Sequence, residues 1–165
     1  MPDFWMDADS FILPHRGPYR FEALPQFWEF LEQKAREGII GSPAFVLDRE
    51  LSADKKDEQD VLAKWARRLK GVLFLDVSED VQVSYAQVIQ YVDGNSKYRR
   101  YWVTKFLDGA DPWVIAYAKA LSGRIVTFET PQPEAKKPKI PDVANYFGIE
   151  CIALWDMLQE LGWRA

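Results

Sequence analysis

A chain of 165 residues is close to one average domain of roughly 150 residues, long enough to bury about 68–70% of its unfolded surface, so no disulfide scaffold is needed for it to fold. Hydrophobic residues make up 48%, aromatics 15% and charged residues 28%, which excludes the low-hydrophobicity, high-charge signature of disorder. With 21 basic against 25 acidic side chains the net charge is −4, so the chain as a whole offers polyanions no attractive field and any contact with nucleic acid needs a local patch.

In chain order, Phe4-Trp5-Met6 reads as a strand, followed by helical stretches at residues 25–37, 43–51 and 57–69. A strand at 72–75, helices at 79–92 and 112–121, and a strand at 124–128 come next. A helix at 141–147, a strand at 151–154 and a helix at 155–161 close the chain. The strands lack polar alternation, as strands buried on both faces do. Strands separated by helices predict an α/β sandwich with a mostly parallel sheet, one domain over residues 1–165. Ser42-Pro43 and Asp111-Pro112 each read as an N-cap followed by the first helical residue, and Gly38 and Gly148 as glycines that close helices. Residues 131–141 hold four prolines and three lysines, the composition of a surface loop.

In open α/β sheets, ligands bind beyond the carboxyl ends of the strands, which directs attention to acids placed there. Asp7 follows the first strand, Asp76 the second and Glu129 the third, with Asp9 and Asp108 close by in sequence. Glu50 lies four residues after Val46 and three after Leu47, spacing that puts its carboxylate on the apolar face of its helix. Asp111 opens the helix carrying Val114, Ile115, Ala118 and Leu121, at the level of the sheet edge. N-capping alone accounts equally well for Asp111, and solvation for Asp76 and Asp156. Asp7 is harder to explain structurally, because a carboxylate behind an aromatic strand pays desolvation and repulsion unless a cation relieves them. The single cysteine, Cys151, and single histidine, His15, exclude Cys-based and His-rich metal sites, so any metal must be held by oxygen. Magnesium and manganese suit such carboxylates.

The chain resembles the PIN-domain family, the metal-dependent ribonucleases of VapC-type toxins, in its uncharacterised PIN-like branch. The residues that carry the likeness are Trp5-Met6-Asp7-Ala8-Asp9-Ser10-Phe11-Ile12, Phe27-Trp28-Glu29-Phe30-Leu31, Glu50-Leu51, Ala110-Asp111-Pro112-Trp113-Val114-Ile115-Ala116-Tyr117-Ala118 and Ile125-Val126-Thr127-Phe128-Glu129, with Lys139-Ile140-Pro141-Asp142-Val143 and Asp156-Met157-Leu158 behind them. The resemblance implies a three-layer sandwich with a short parallel sheet, and cleavage of RNA phosphodiesters by water activated on Mg2+ or Mn2+. It implies Asp7, Glu50, Asp111 and Glu129 as catalytic acids, with Asp7, Glu50, Asp111 and Asp9 about the metal and the Thr127 hydroxyl supporting them. Glu129 stands where many relatives have Asp, which lengthens the arm by one methylene. The likeness further implies a toxin role and a cognate antitoxin, and the aromatic residues Phe27, Trp28 and Phe30 of the helix from Pro25, read first as core, offer a homodimer or antitoxin groove as the alternative.

RNA requires positive charge near the acids. Arg99, Arg100, Lys136 and Lys137 are the candidates, with Lys97, Lys105 and Lys139 beside them and Tyr98, Tyr101 and Trp102 interleaved as stacking faces. Two other readings compete. Asp7-Ala8-Asp9 after a strand is also similar to the first motif of haloacid-dehalogenase-type phosphatases, with Asp7 as nucleophile. A PIN-like domain kept only for binding is the other. No run approaches 18 apolar residues, and residues 1–10 carry three Asp where a signal peptide carries Lys or Arg, so a cytoplasmic protein without membrane contact is expected.

Overall fold

The computed structural model describes residues 2–51 and 60–164. Five strands form one sheet in the order β3-β2-β1-β4-β5, and every neighbouring pair is parallel. They are β1 (Phe4–Met6), β2 (Ile40–Pro43), β3 (Phe74–Leu75), β4 (Arg124–Val126) and β5 (Cys151–Ile152). The helices that flank them are α1 (Asp9–Arg16), α2 (Pro25–Arg36), α3 (Val61–Arg68), α4 (Glu79–Asp93), α5 (Arg100–Asp108), α6 (Asp111–Leu121), α7 (Ile140–Tyr146) and α8 (Leu154–Glu160). This is the expected three-layer α/β sandwich. Among the described residues no helix is long and apolar enough to cross a membrane.

Three local readings are corrected. Ser42 and Pro43 do not open a helix but lie in β2, which a Gly-Ser-Pro sequence of low strand propensity conceals. Tertiary bonds make it a strand: the Ser42 N–H donates to Leu73 O at 2.8 Å and its hydroxyl to Met6 O at 2.7 Å. The segment behind it, Val46–Leu51, is π-helical rather than α-helical. Its wider i→i+5 turn carries Glu50 off the apolar face, so that Val46, Leu47 and Leu51 are buried while Glu50 is exposed. Two helices escaped the periodicity reading, α1, which contains Pro14, and α5, whose inward residues are only Val103 and Phe106. The expected helix start at 57–59 lies outside the described residues. Of the four expected strands, β1 has the expected bounds, and β3, β4 and β5 are shorter at one end than their apolar runs, because pairing stops where the parallel partners stop.

Trp5 is the hub of the core. It is fully buried in β1, faces Tyr117 of α6 at 5.2 Å between ring centroids, and pairs in register with Gly41 and Ile125. The indole is accommodated because two neighbours lack side chains: a Cβ on Gly123 would stand 2.7 Å from the Trp5 ring, and one on Gly41 would stand 3.0 Å from it. Gly123→Ala is therefore expected to destabilise the fold by about 1–3 kcal/mol through overpacking, read as a lower urea midpoint at unchanged slope.

Candidate metal centre

The chain leaves β1 towards β2 on one side and leaves β4 towards β5 on the other, so the β1/β4 seam is the topological switch point of the sheet. At the carboxyl end of that seam, Asp7 N–H donates to Val126 O at 3.1 Å, stitching the two strand ends together. Two buried hydroxyls hold the same ends: Ser10 donates to Val126 O at 3.1 Å and Ser42 to Met6 O. Neither serine carries a sequence signal beyond being a small polar residue in an apolar context.

Asp7 is only 4% exposed. Its Oδ1 accepts from Asp9 N at 2.8 Å and its Oδ2 from the Thr127 hydroxyl at 2.7 Å. Thr127 Oγ1 in turn accepts from Glu129 N at 3.1 Å, so the hydroxyl links both strand-end acids. Burial is the largest influence on Asp7 and pushes its carboxyl from an ordinary 3.8 up to about 7, against the Thr127 bond, with the charges of Asp9 and Glu129 adding to the rise.

Asp111 sits in the first turn of α6, where the positive end of the helix favours a carboxylate. It does not cap the helix: the residue before it is Ala110, no side chain caps α6, and Asp111 makes no hydrogen bond among the described residues. Burial pushes its carboxyl up to about 8, with further rise from the charges of Glu129, Asp7, Glu50 and Asp9 in that order. Four of the acids read from the sequence, Glu129, Asp7, Glu50 and Asp9, thus lie near enough to Asp111 for their charges to act on it. Glu50 arrives from the π-helical turn, its Oε1 3.9 Å from where a side chain on Gly109 would begin.

Glu129 is half-buried and raised by burial. Its Oε1 accepts from Ile140 N at 3.2 Å, the first N–H of α7. The extra methylene is what lets one carboxylate serve a helix start and still face the acids. Lys139 and Lys137 oppose its rise, which places the basic loop beside the acid centre. That loop is pinned on both flanks, by Asp142 accepting from Gln132 N at 2.9 and 3.1 Å, by Arg99 N donating to Lys136 O at 2.9 Å, and by Lys97 Nζ donating to Pro133 O at 2.9 Å. Lys137 stands 4.8 Å from the centre of the Trp102 ring. Arg100 is instead directed to Asp93, and Lys136 and Arg99 are exposed.

The donor set fits a hard divalent cation: carboxylate oxygens only, with no ion pair to a basic side chain among the described residues. The fit is one of chemistry and charge. Among the described residues, no three of these groups stand close enough to grip an ion with the side chains as placed, and both oxygens of Asp7 are engaged elsewhere. Cys151 of β5 is half-buried, and its thiol is pushed up to about 12 by burial, so it is no nucleophile at neutral pH. Asp76, Asp108 and Asp156 are exposed.

The sequence profile DUF4411, described as a domain of unknown function, matches residues 4–165. The chain belongs to the DUF4411 family. No curated protein matches it. Every acid of the centre, and the lysine loop beside it, lies inside the span that defines this DUF4411 chain.

Proposed function

We propose that this DUF4411 protein hydrolyses RNA phosphodiester bonds with the help of magnesium or manganese. The observation that carries the reading is that the charges of Glu129, Asp7, Glu50 and Asp9 all act on Asp111 at the switch point, with those of Lys139 and Lys137 acting on Glu129. The PIN-family resemblance supports it. Asp7 and Asp111, the two most strongly desolvated acids, would hold the cation, with Glu50 and Asp9 on the solvent side and the outer oxygen of Glu129 within the same field. When bound, the cation supplies an activated water and offsets charge on the phosphodiester. Thr127 fixes the orientation of Asp7, and the lysines hold backbone phosphates of the strand. A partner that covers this edge would silence it, as an antitoxin does in VapC-type toxins, and a cytoplasmic setting supplies the RNA.

Nucleophilic attack by Asp7 on a phosphoryl group would leave Glu50 and Asp111 without a role, although both belong to the same cluster of acids. A binding-only domain is favoured by one observation, that among the described residues no three of the acids stand close enough to hold an ion.

Incubating the protein with a mixed RNA pool and Mg2+ or Mn2+, with and without chelator, tests the reading. Fragments that appear only with metal are the expected result. Calorimetric binding of metal without cleavage points to a narrow RNA target, and weak or absent metal binding without cleavage overturns the nuclease and supports the binding-only reading.

A further inference from the structure

One strand beyond the acid centre, a recess that the chemistry above does not use begins at Trp155, just past the carboxyl end of β5, and runs along α8. It is a hollow of about 380 Å³ lined by Tyr19, Trp155, Leu158, Gln159, Trp163 and Arg164, within the about 300–1,000 Å³ typical of small-ligand sites. Leu158 is buried beneath it, while Trp155 remains 45% exposed although it is one of the largest apolar side chains in the chain. Trp155 is held rather than loose. Tyr19 lies 5.2 Å from it at 35°, and Phe128 meets its edge at 5.8 Å and 70°.

Phe128 fixes the location. It stands between Thr127, which bonds Asp7, and Glu129, and β4 and β5 are paired neighbours, about 4.8 Å apart as adjacent strands are. A strand lying across the acids therefore passes beside this recess. The lining contains no carboxylate that would repel a phosphate. Its polar groups are the Gln159 amide, which both donates and accepts, and the Arg164 guanidinium, which makes no ion pair among the described residues. Open aromatic faces with an amide and a guanidinium at the rim match a nucleobase and its phosphate: rings stack on any base, and the rim groups read an edge and hold a negative charge.

We propose that this recess seats a nucleobase of single-stranded RNA, splayed from the strand that crosses the acid centre, with Trp155 stacking on its face and Gln159 and Arg164 at its edge and phosphate. The proposal rests on the ribonuclease reading for the path of the strand, but its test does not depend on cleavage.

Fluorescence anisotropy with a short labelled single-stranded RNA of mixed sequence, in chelator, measures binding alone. Trp155→Ala is expected to weaken binding by about tenfold, and Trp155→Phe, which keeps a stacking face, to retain most of it. Duplex RNA of the same sequence should be bound equally by all three, because its bases are not free to leave the stack. Tyr146→Ala removes a more exposed aromatic, 62% accessible, at the end of α7, and should change nothing. Thermal melts establish that each variant is folded. Equal binding by Trp155→Ala and wild type overturns the recess while leaving metal-dependent cleavage of the RNA pool to judge the nuclease. Binding that requires Trp155 in a protein that cleaves no RNA and binds metal weakly or not at all upholds the recess and overturns the nuclease. A wild type that binds no single strand, including one whose Trp155 serves only a protein partner, overturns the recess.

Discussion

Asp111→Asn is expected to lower RNA cleavage by at least about 100-fold while the protein stays folded. Replacing groups that merely support a metal ligand costs about 10–100-fold, and a direct ligand should cost no less. The substitution isolates charge from shape: Asn has nearly the volume of Asp, and Asp111 neither caps α6 nor makes a hydrogen bond among the described residues that the amide would lose. Asp7→Asn is a less clean test, since an amide in place of Oδ1 or Oδ2 turns one accepted bond, from Asp9 N or from Thr127, into a donor facing a donor. Glu129→Gln should be the mildest of the three, because the amide oxygen can still accept from Ile140 N. Initial rates on one cleaved RNA, with melting temperatures alongside, decide the ranking. Unchanged cleavage by Asp111→Asn would remove that residue from the centre, and a loss accompanied by unfolding would make it structural.

The legible parts of this protein were those in which a residue's neighbours in sequence are also its neighbours in space. β1 and β4 announce themselves as short apolar runs, and α2 and α4 as periodic stretches with recognisable borders, because burial on a helix face or inside a parallel sheet leaves a local trace. The order of the acids Asp7, Glu50, Asp111 and Glu129 could be followed for a similar reason: each stands next to an element that is itself visible. β2 could not, since Ile40-Gly41-Ser42-Pro43 is made a strand by Leu73 and Met6, which lie far along the chain. Glu50 shows the same limit from the other side. Its α-helical spacing points inward, and only the π-helical turn, set by packing in three dimensions, turns it towards solvent and the other acids. The basic candidates divide on the same principle, for the charges of Lys137 and Lys139 act on Glu129 because the loop is tied near α5 and to α7, while Arg100, the first residue of α5, turns to Asp93.

The metal-free protein is expected to lose stability as the pH rises from 5 to 8. Asp7 and Asp111 titrate near 7 and 8 in the fold against an ordinary 3.8, so across that interval the folded state binds more protons than the unfolded state and stability falls with pH, by up to about 1.4 kcal/mol per unit for each group. Both contributions are fully present below about pH 4 and are lost as the pH passes through the folded values. Nothing else with a resolved shift opposes them there. Glu37 and Glu160, held low by Lys34 and Arg124, change charge only below the interval, and the raised tyrosines and Cys151 only above it. The groups that face the two aspartates, Asp9, Glu50 and Glu129, are all acids, and Lys137 and Lys139 reach only Glu129. A net loss on the order of 2–4 kcal/mol is reasonable for two coupled sites, equivalent to roughly 4–16 °C in melting temperature at this size. Two additions make the cause specific. Mn2+ should raise the melting temperature at pH 8 and barely at pH 5, since the carboxylates bind it only when ionised. Asp111→Asn should melt above the wild type at pH 8, and the gap should close by pH 5. A melting temperature that is flat or rising across this range, or a variant less stable than wild type at pH 8, would mean that the acids are already neutralised by contacts of the fold, and the physical case for a cation at this edge would fall with them.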